Sequence, residues 1–410
     1  MNVENLKNNY PKLLSHMEDS GYSKKYIYTF RREIQWIISE AGLRSWKCYG
    51  DVYRDYQANS SPHDKLEKKH AIIGAIEQFD LHGRYPDSKW HSFKARGSYQ
   101  KLVPEFRLLI DYYSKVGRER GKKESTIYKE SHNASSFLFS LQEAGVNHLD
   151  DVTEETVVSL FVSPDGRRLK CHNYRKCASE LLKACIPLNT DACRKVLSLL
   201  PATRHTRKNI QYLTPEEMQR VRNALDDMSN TLTLCDRAIG KLALYTGLRG
   251  CDIATMKLTS IDWDCDIIRI NQQKTGNPLE LPLAATVGNA IYDYLTNERP
   301  SVENPSLFLS LIGPYRGMNP NNMWNVSARI MKAAGVRQSK GERKGFHIFR
   351  HHLATTLLGN GVTQAVISCI LGHSSPASTE TYLSADFVHL KACALDISRF
   401  PVLEEVFEVE

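Results

Sequence analysis

The sequence predicts a mainly α-helical protein with a small antiparallel β-sheet: helical modules through the first half and a mixed α+β domain through the second. Three observations predict this. The N-terminal half repeats apolar residues at helical spacing, as in Phe30, Ile34, Ile37 and Ile38 and again in Phe137, Leu138 and Leu141. Two alternating runs, Ile267-Ile268-Arg269-Ile270 and Leu279-Glu280-Leu281-Pro282-Leu283, flank the turn Lys274-Thr275-Gly276-Asn277, which is the pattern of a β-hairpin. Helix starts and stops then punctuate the C-terminal half, with Pro215 just after Thr214 and glycines at 247, 359 and 372.

In chain order, residues 28–42 form a helix ending at Glu40-Ala41-Gly42, and about a hundred residues later Phe137 to Leu141 lead into Glu143-Ala144-Gly145. Asp51-Val52 with Ser61-Pro62 is echoed by Asp151-Val152 with Ser163-Pro164. Each copy continues in a basic, apolar-periodic segment, Lys65 to Phe79 and Arg167 to Cys185. These echoes predict two similar helical modules in tandem, residues 1–84 and 105–200. The stretch from Arg84 to Pro104 between them reads as a basic linker with aromatics: Lys89, Lys94, Arg96 and Lys101 beside Trp90, Phe93 and Tyr99. A second linker, Pro201 to Asn209, carries Arg204, Arg207 and Lys208.

The second half opens at Thr214-Pro215-Glu216-Glu217, a helix start with a capping-box glutamate. The apolar run Ile239, Leu242, Leu244, Tyr245 ends at Gly247, so Arg249 opens the next helix and Asp252, three residues on, can steady its guanidinium. The hairpin follows, with Lys274 at its tip. His347 to Leu358 reads as a helix ended by Gly359-Asn360-Gly361, Thr363 to Leu371 as a shorter one stopped by Gly372, and Ser375-Pro376 opens the helix bearing Tyr382.

Length and composition bound the rest. At 410 residues the chain should hold two or three domains, and 41% hydrophobic content suffices for buried cores. A net charge of +8 and a pI near 8.8 suit a nucleic-acid partner. Ten cysteines are scattered without a Cys-x-x-Cys pair. Cys171 and Cys177, in a basic helix-like run followed by Cys185 and Cys193, read as reduced cytosolic thiols rather than a zinc site. His347 and His351 stand four apart, as a metal pair on a helix would, but no Cys or carboxylate completes a site, so no metal and no cofactor are expected. Neither a signal peptide nor a long apolar span appears, so secretion and membrane insertion are not expected.

The residue types in the C-terminal half suit one chemistry. A Tyr hydroxyl, with an ordinary pKa of about 10, is a weak nucleophile until a neighbour takes its proton or cations stabilise its anion. A phosphodiester gains charge on its non-bridging oxygens under attack, and two guanidinium forks suit that load because Arg stays charged and binds phosphate bidentately. Histidines can donate to the phosphate or relay the phenolic proton, and a cationic lysine can protonate the leaving oxygen. Arg350 follows His347 by three, so both project from one helix face.

The ordered set Arg249, Lys274, His347-x-x-Arg350, His373 and Tyr382 resembles the catalytic signature of the tyrosine recombinase (phage integrase) family over about residues 208–400, with no departure at the six key positions. The resemblance implies a catalytic domain at 208–410, with Arg249 and Arg350 on the phosphate, Lys274 as general acid reaching DNA from the minor-groove side, and Asp252 in support. It also implies a core-binding (SAM-like) helical DNA-binding domain at 105–200. There Arg167, Arg168, Lys170, Arg175 and Lys176 form the expected phosphate-contacting face, with Lys122 and Lys123 as a second contact. Arg204, Arg207 and Lys208 are expected along the DNA backbone. The module at 1–84 is an additional DNA-binding unit or a packing extension.

The implied function is that of a site-specific DNA recombinase, the integrase of a mobile element. It would cleave and rejoin double-stranded DNA at specific recombination sites through a 3′-phosphotyrosyl intermediate and a Holliday junction, without metal or ATP. The implied assembly is a homotetramer on DNA, coupled through a tail whose apolar stripe runs over Phe387, Val388, Leu390, Ala394, Leu395 and Ile397 and whose last stretch is 401–407. An accessory directionality protein is a further expected partner, and the expected location is the prokaryotic cytoplasm, on the nucleoid. The alternatives are a type IB topoisomerase, which shares the catalytic groups, and a sequence-specific DNA-binding protein without catalysis.

Overall fold

A computed structural model describes residues 1–59, 66–86, 97–203, 210–373, 378 and 382–383. The chain divides into two compact units, Met1–Lys7 with Gln35–Arg207 and Asn8–Ile34 with Lys208–Glu410. The architecture is mainly helical with one small antiparallel sheet, as expected.

The first elements are helices α1 (Val3–Asp19), α2 (Lys24–Glu40), α3 (Tyr49–Ala58) and α4 (Leu66–His82). A buried carboxylate, Asp80 on α4, ties the start of α1 to α3: it accepts from the Asn2 backbone N–H at 2.7 Å, the Asn5 amide at 3.0 Å and the Tyr49 hydroxyl at 2.8 Å. Three donors satisfy a group that would be costly to bury alone.

Helices α5 (Pro104–Glu119), α6 (Glu124–Glu143), α7 (Glu154–Phe161), α8 (His172–Cys185) and α9 (Thr190–Leu199) form a bundle around its own core, in which Phe106, Phe137, Leu138, Phe161 and Leu181 are buried. Cys185 and Cys193 belong to that core, and burial pushes their thiols up to about 12 and about 11. The echoes between the two modules part company locally. Asp51-Val52 lies inside α3, whereas Asp151-Val152 closes a 3-10 turn ahead of α7. Gly145 takes a left-handed φ of 87°, and Gly42 is not among the residues with positive φ.

In the second unit, α10 (Pro215–Asp226) begins with the expected capping box. The Glu217 N–H donates to Thr214 Oγ1 at 3.2 Å, and the Thr214 N–H donates to the Glu217 carboxylate at 2.9 Å. Helix α11 (Leu234–Thr246) is the core of this unit, with Ala238, Ile239, Leu242 and Ala243 fully buried, and it ends at Gly247 in the left-handed conformation (φ +64°). A Cβ at 247 would lie 2.8 Å from Leu353, so the glycine serves both the turn and the close approach. The short α12 (Gly250–Ala254) leads to β1 (Ile261–Asp262), β2 (Ile267–Asn271) and β3 (Pro278–Pro282), a sheet of order β1-β2-β3. On the hairpin, Ile268 opposite Leu281 and Ile270 opposite Leu279 face inward, while Arg269 meets Glu280 on the open face at 3.0 Å.

Two helices that no motif announces complete the core: α13 (Ala285–Asn297) and α14 (Met323–Ala333), both packed on α11. Helices α15 (His347–Gly359) and α16 (Gln364–Leu371) follow, the latter stopped by Gly372 at φ +60°. Ala354, Leu358, Ile367, Leu371 and Tyr382 form a small apolar cluster separate from the main core. Among the described residues no helix is long and apolar enough to cross a membrane.

The capping box yields a direct expectation. Thr214→Ala should destabilise the protein by about 1 kcal/mol, since it orphans a first-turn amide while touching nothing in the core. Urea unfolding at neutral pH checks this, and an unchanged midpoint would mean the cap contributes nothing.

Candidate active site

The site is organised by Arg350. Its side chain is buried, with the residue only 3% exposed. Nη1 donates to the Gly247 carbonyl at 3.0 Å and Nη2 to the Leu371 carbonyl at 2.7 Å. Gly247 caps α11 and Leu371 is the last residue of α16, so the guanidinium sits on the electronegative ends of two helices. These bonds use part of a five-donor fork and fix its plane.

Arg249 stands at the N-cap of α12, its side chain 11% exposed, with Nη1 3.9 Å from the fully buried Asp252 carboxylate. That distance is an ion pair without a hydrogen bond, and both Arg249 Nη1 and Asp252 Oδ2 are buried without a hydrogen-bond partner among the described residues. The other carboxylate oxygen accepts the Gln273 N–H at 2.8 Å, so Asp252 also holds the hairpin turn that carries Lys274. Asp252 therefore contacts both Arg249 and the hairpin turn.

His347 is the first residue of α15, Arg350 lies one turn on, and His351 follows. The rings of His347 and His351 stack at 6.1 Å. Tyr382, 3% exposed, lies between two histidines. Its hydroxyl is 3.3 Å from His351 Nδ1, and its ring is parallel to that of His373 at 6.2 Å. The structure thus brings together Arg249, Asp252, His347, Arg350, His373 and Tyr382. It places Lys274 close enough for its charge to be felt at both His347 and His373.

The electrostatics follow from burial among cations. Desolvation and the Arg249 charge lower the Arg350 pKa to about 10. His351 is held at about 4 by burial, by His347 and by Arg350, with Arg343 and His373 adding to the effect. His373 is also held at about 4, by burial and the Arg350, Arg249 and Lys274 charges. His347, on the surface, is lowered by partial burial of its ring and then by the same three cations. Burial raises the Tyr382 phenol, while Arg350 and Arg249 pull it back. At neutral pH the site therefore holds neutral imidazoles, a protonated phenol and crowded cations, with Arg249 Nη1 unpartnered among the described residues. An anion with several oxygens is what such an arrangement accepts.

His351 is the residue that motif reading passed over, weighed only as half of a metal pair. Its spacing carried the signal, since four residues from His347 puts it on the same helix face.

The basic candidates of the helical bundle fare differently from one another. Arg167, Arg168 and Lys170 head the basic, apolar-periodic segment Arg167 to Cys185, but they lie on the loop between α7 and α8, closed by a bridge between Val162 and Arg168. The turn Pro164-Asp165-Gly166, with Gly166 at φ 79°, breaks the helix there. Arg175 and Lys176 lie on α8, the latter exposed. Lys122 points inward: its ammonium contacts the Tyr113 hydroxyl at 3.1 Å and Glu130 at 3.0 Å. Lys123 is exposed at the N-cap of α6. Arg204, Arg207 and Lys208, most of the basic linker between the modules and the tail beyond residue 383 lie outside the described residues.

Comparison with known proteins agrees with this geometry. Residues 211–389 match the sequence profile of the phage integrase family. A putative integrase/recombinase, y4gC of Sinorhizobium fredii, is 40% identical over 164 residues, covering 40% of this chain and 83% of that protein. A second from the same organism, y4rA, is 36% identical over 180 residues but is matched over only 43% of its length. Tyrosine recombinase XerC of Listeria welshimeri is 29% identical over 190 residues, 44% of this chain and 60% of XerC. Among solved structures, the XerH site-specific recombinase bound to palindromic difH substrate superposes with a TM-score of 0.55 at 18% identity, covering 85% of this chain and 97% of that one. The XerH pre-cleavage complex gives 0.53 at 19% identity. The shared fold, the profile across the site and the coverage of y4gC lead to one conclusion: this chain belongs to the phage integrase family, the tyrosine recombinases.

Proposed function

We propose that this protein is a site-specific recombinase of a mobile element, in which Tyr382 Oη attacks the scissile phosphate held by Arg249 and Arg350. One observation carries the reading. The phenol lies against a neutral imidazole at 3.3 Å and within the field of Arg350 and Arg249, and Arg249 Nη1 has no hydrogen-bond partner among the described residues. In the step, the Oη–P bond forms as the P–O5′ bond breaks, leaving a 3′-phosphotyrosyl link and a 5′ hydroxyl. The phenolic proton passes to the imidazole side, where His351 Nδ1 stands 3.3 Å from Oη, and the departing O5′ takes a proton from Lys274. The arginines stabilise charge that grows on the non-bridging oxygens, usually the largest contribution to such a step. Asp252 keeps Arg249 and the Lys274 turn in place. Attack by the 5′ hydroxyl of a partner strand reverses the chemistry and joins the new strands.

The bundle of 105–200 is proposed as the second half of a DNA clamp. Its contacts would come from the loop bearing Arg167, Arg168 and Lys170 and from α8 with Arg175 and Lys176, with Lys123 as a further contact. The inward role of Lys122 removes it from this set. The linker residues Arg204, Arg207 and Lys208 are proposed to follow the DNA backbone, the module at 1–84 to extend the footprint or the packing, and the tail to couple subunits in a DNA-bound tetramer.

Wild-type protein should form covalent protein–DNA adducts in EDTA, and Tyr382→Phe should bind the same DNA without forming them. Adducts from the Phe variant on denaturing gels would reassign the nucleophile. Lys274→Ala should be defective on ordinary DNA and restored on DNA whose bridging 5′ oxygen is replaced by sulfur, because a thiolate leaves without a proton. An equal defect on both substrates would remove Lys274 from the acid role.

The depressed histidines also set a pH response. The unfolded chain takes up protons near pH 6.5, whereas His351 and His373 stay neutral in the fold down to about 4. Stability is therefore greatest above pH 6.5 from these groups and is lost as pH falls from there toward 4. Denaturant melts across that window should show the decline, and His351→Gln should flatten it. An unchanged slope in the variant would mean the imidazole is not held neutral by the fold.

A further inference from the structure

Gln272 is the first residue beyond β2, at the mouth of the turn that carries Lys274, and it is 1% exposed. A glutamine in a hairpin turn normally points to water, so its burial needs partners at both ends of the amide. It has them. Nε2 donates to the Leu371 carbonyl at 3.0 Å, and Oε1 accepts the Thr275 hydroxyl at 2.8 Å. Its backbone closes the turn as well, donating to Asn277 O at 2.9 Å and accepting from Gly276 N at 2.7 Å.

The Leu371 carbonyl is the same atom that receives Arg350 Nη2. One residue further, Gly372 takes φ +60°, and a Cβ there would sit 2.4 Å from the Gln272 amide nitrogen. The cap of α16 and the glutamine are therefore shaped to each other, and His373 leaves directly from that cap. A single buried amide thus touches the turn of Lys274, the carbonyl that orients Arg350 and the backbone that presents His373. The Asp252 bond to the Gln273 N–H pins the neighbouring residue to α12.

We propose that Gln272 is a positioning residue for Lys274: it docks the hairpin turn onto the end of α16, so that the ammonium is set relative to the Arg350 clamp before DNA arrives. This rests on the recombinase reading above and on Lys274 as the acid. Gln272 touches neither the phosphate nor a reacting atom. It acts by fixing where Lys274 starts, and displacement of a reacting group by about 1 Å can cost on the order of a hundredfold in rate.

The test uses the full-length protein and paired DNA substrates, one with the ordinary bridging 5′ oxygen and one with sulfur. Gln272→Ala should cut cleavage of the oxygen substrate ~10- to 100-fold, with DNA affinity unchanged and the sulfur substrate cleaved near the wild-type rate. Gln272→Glu should behave like the alanine variant, because a carboxylate oxygen would face the Leu371 carbonyl. Thr275→Val, half-buried in the turn, removes the hydroxyl that donates to Oε1 and accepts the Asn277 N–H at 3.4 Å, and should give a smaller loss with the same substrate selectivity. Equal losses on both substrates, or no loss in any variant, would overturn the proposal. With Lys274→Ala rescued by sulfur and Gln272→Ala not, the positioning role alone fails. With Lys274→Ala itself not rescued, the acid assignment fails and takes this inference with it.

Discussion

The arrangement of the catalytic unit depends on one buried cation. A guanidinium away from water is costly unless its donors are satisfied and its charge is opposed, and here that is done largely without a carboxylate. Arg350 lies on the terminal carbonyls of α11 and α16, at 3.0 and 2.7 Å, so the partial negative charge of two helix ends supports it. Both helices must end where they do for this to work, and each ends in a glycine that can turn left-handed at once. Lysine could not substitute, since a single ammonium cannot bridge two carbonyls in the plane of a fork.

That choice of support shapes the electrostatics. Helix ends supply fractional charge, so the site stays positive once Arg249 and Lys274 are added, and every imidazole nearby is discouraged from taking a proton. The neutral state of His351 and His373 follows first from burial and then from the same field that favours an incoming phosphate. Asp252 is the full negative charge built into the cluster, and it is shared between Arg249 and the hairpin backbone. Charge stabilisation and alignment of the lysine turn are therefore coupled through one carboxylate, and through Gln272 on the opposite side of the turn.

Much of this was legible in the order of residues because local rules govern it. The Thr214 cap, the Gly247 and Gly372 stops, and the hairpin around Lys274 are each written within a few neighbours, and the family signature joins them across the chain. What could not be read depends on distant partners. Nothing near Gln272 in sequence says that it will be buried against residue 371, and nothing near Lys122 says that Glu130 and Tyr113 will hold it inward. His351 was legible in principle, by its place on the helix face, but its role needed the approach of Tyr382 from thirty-one residues away. The basic stretch before α8 was misjudged because charge and apolar spacing resembled a helix, while Pro164 and Gly166 imposed a turn.

The two apolar clusters of the catalytic unit are unequal. Arg249 leads α12, which is fastened to the large core around α11, whereas Arg350 lies on α15, which gives Ile348 and Phe349 to that core and Ala354 and Leu358 to a small satellite with Ile367, Leu371 and Tyr382. Small clusters open at lower free energy than the core beside them, so this part of the unit has a stability of its own, below that of global unfolding. Opening of that satellite would release Tyr382 and Leu371 together, and with the Leu371 carbonyl would go one of the two bonds that fix the Arg350 plane, so phenol and guanidinium share one local stability.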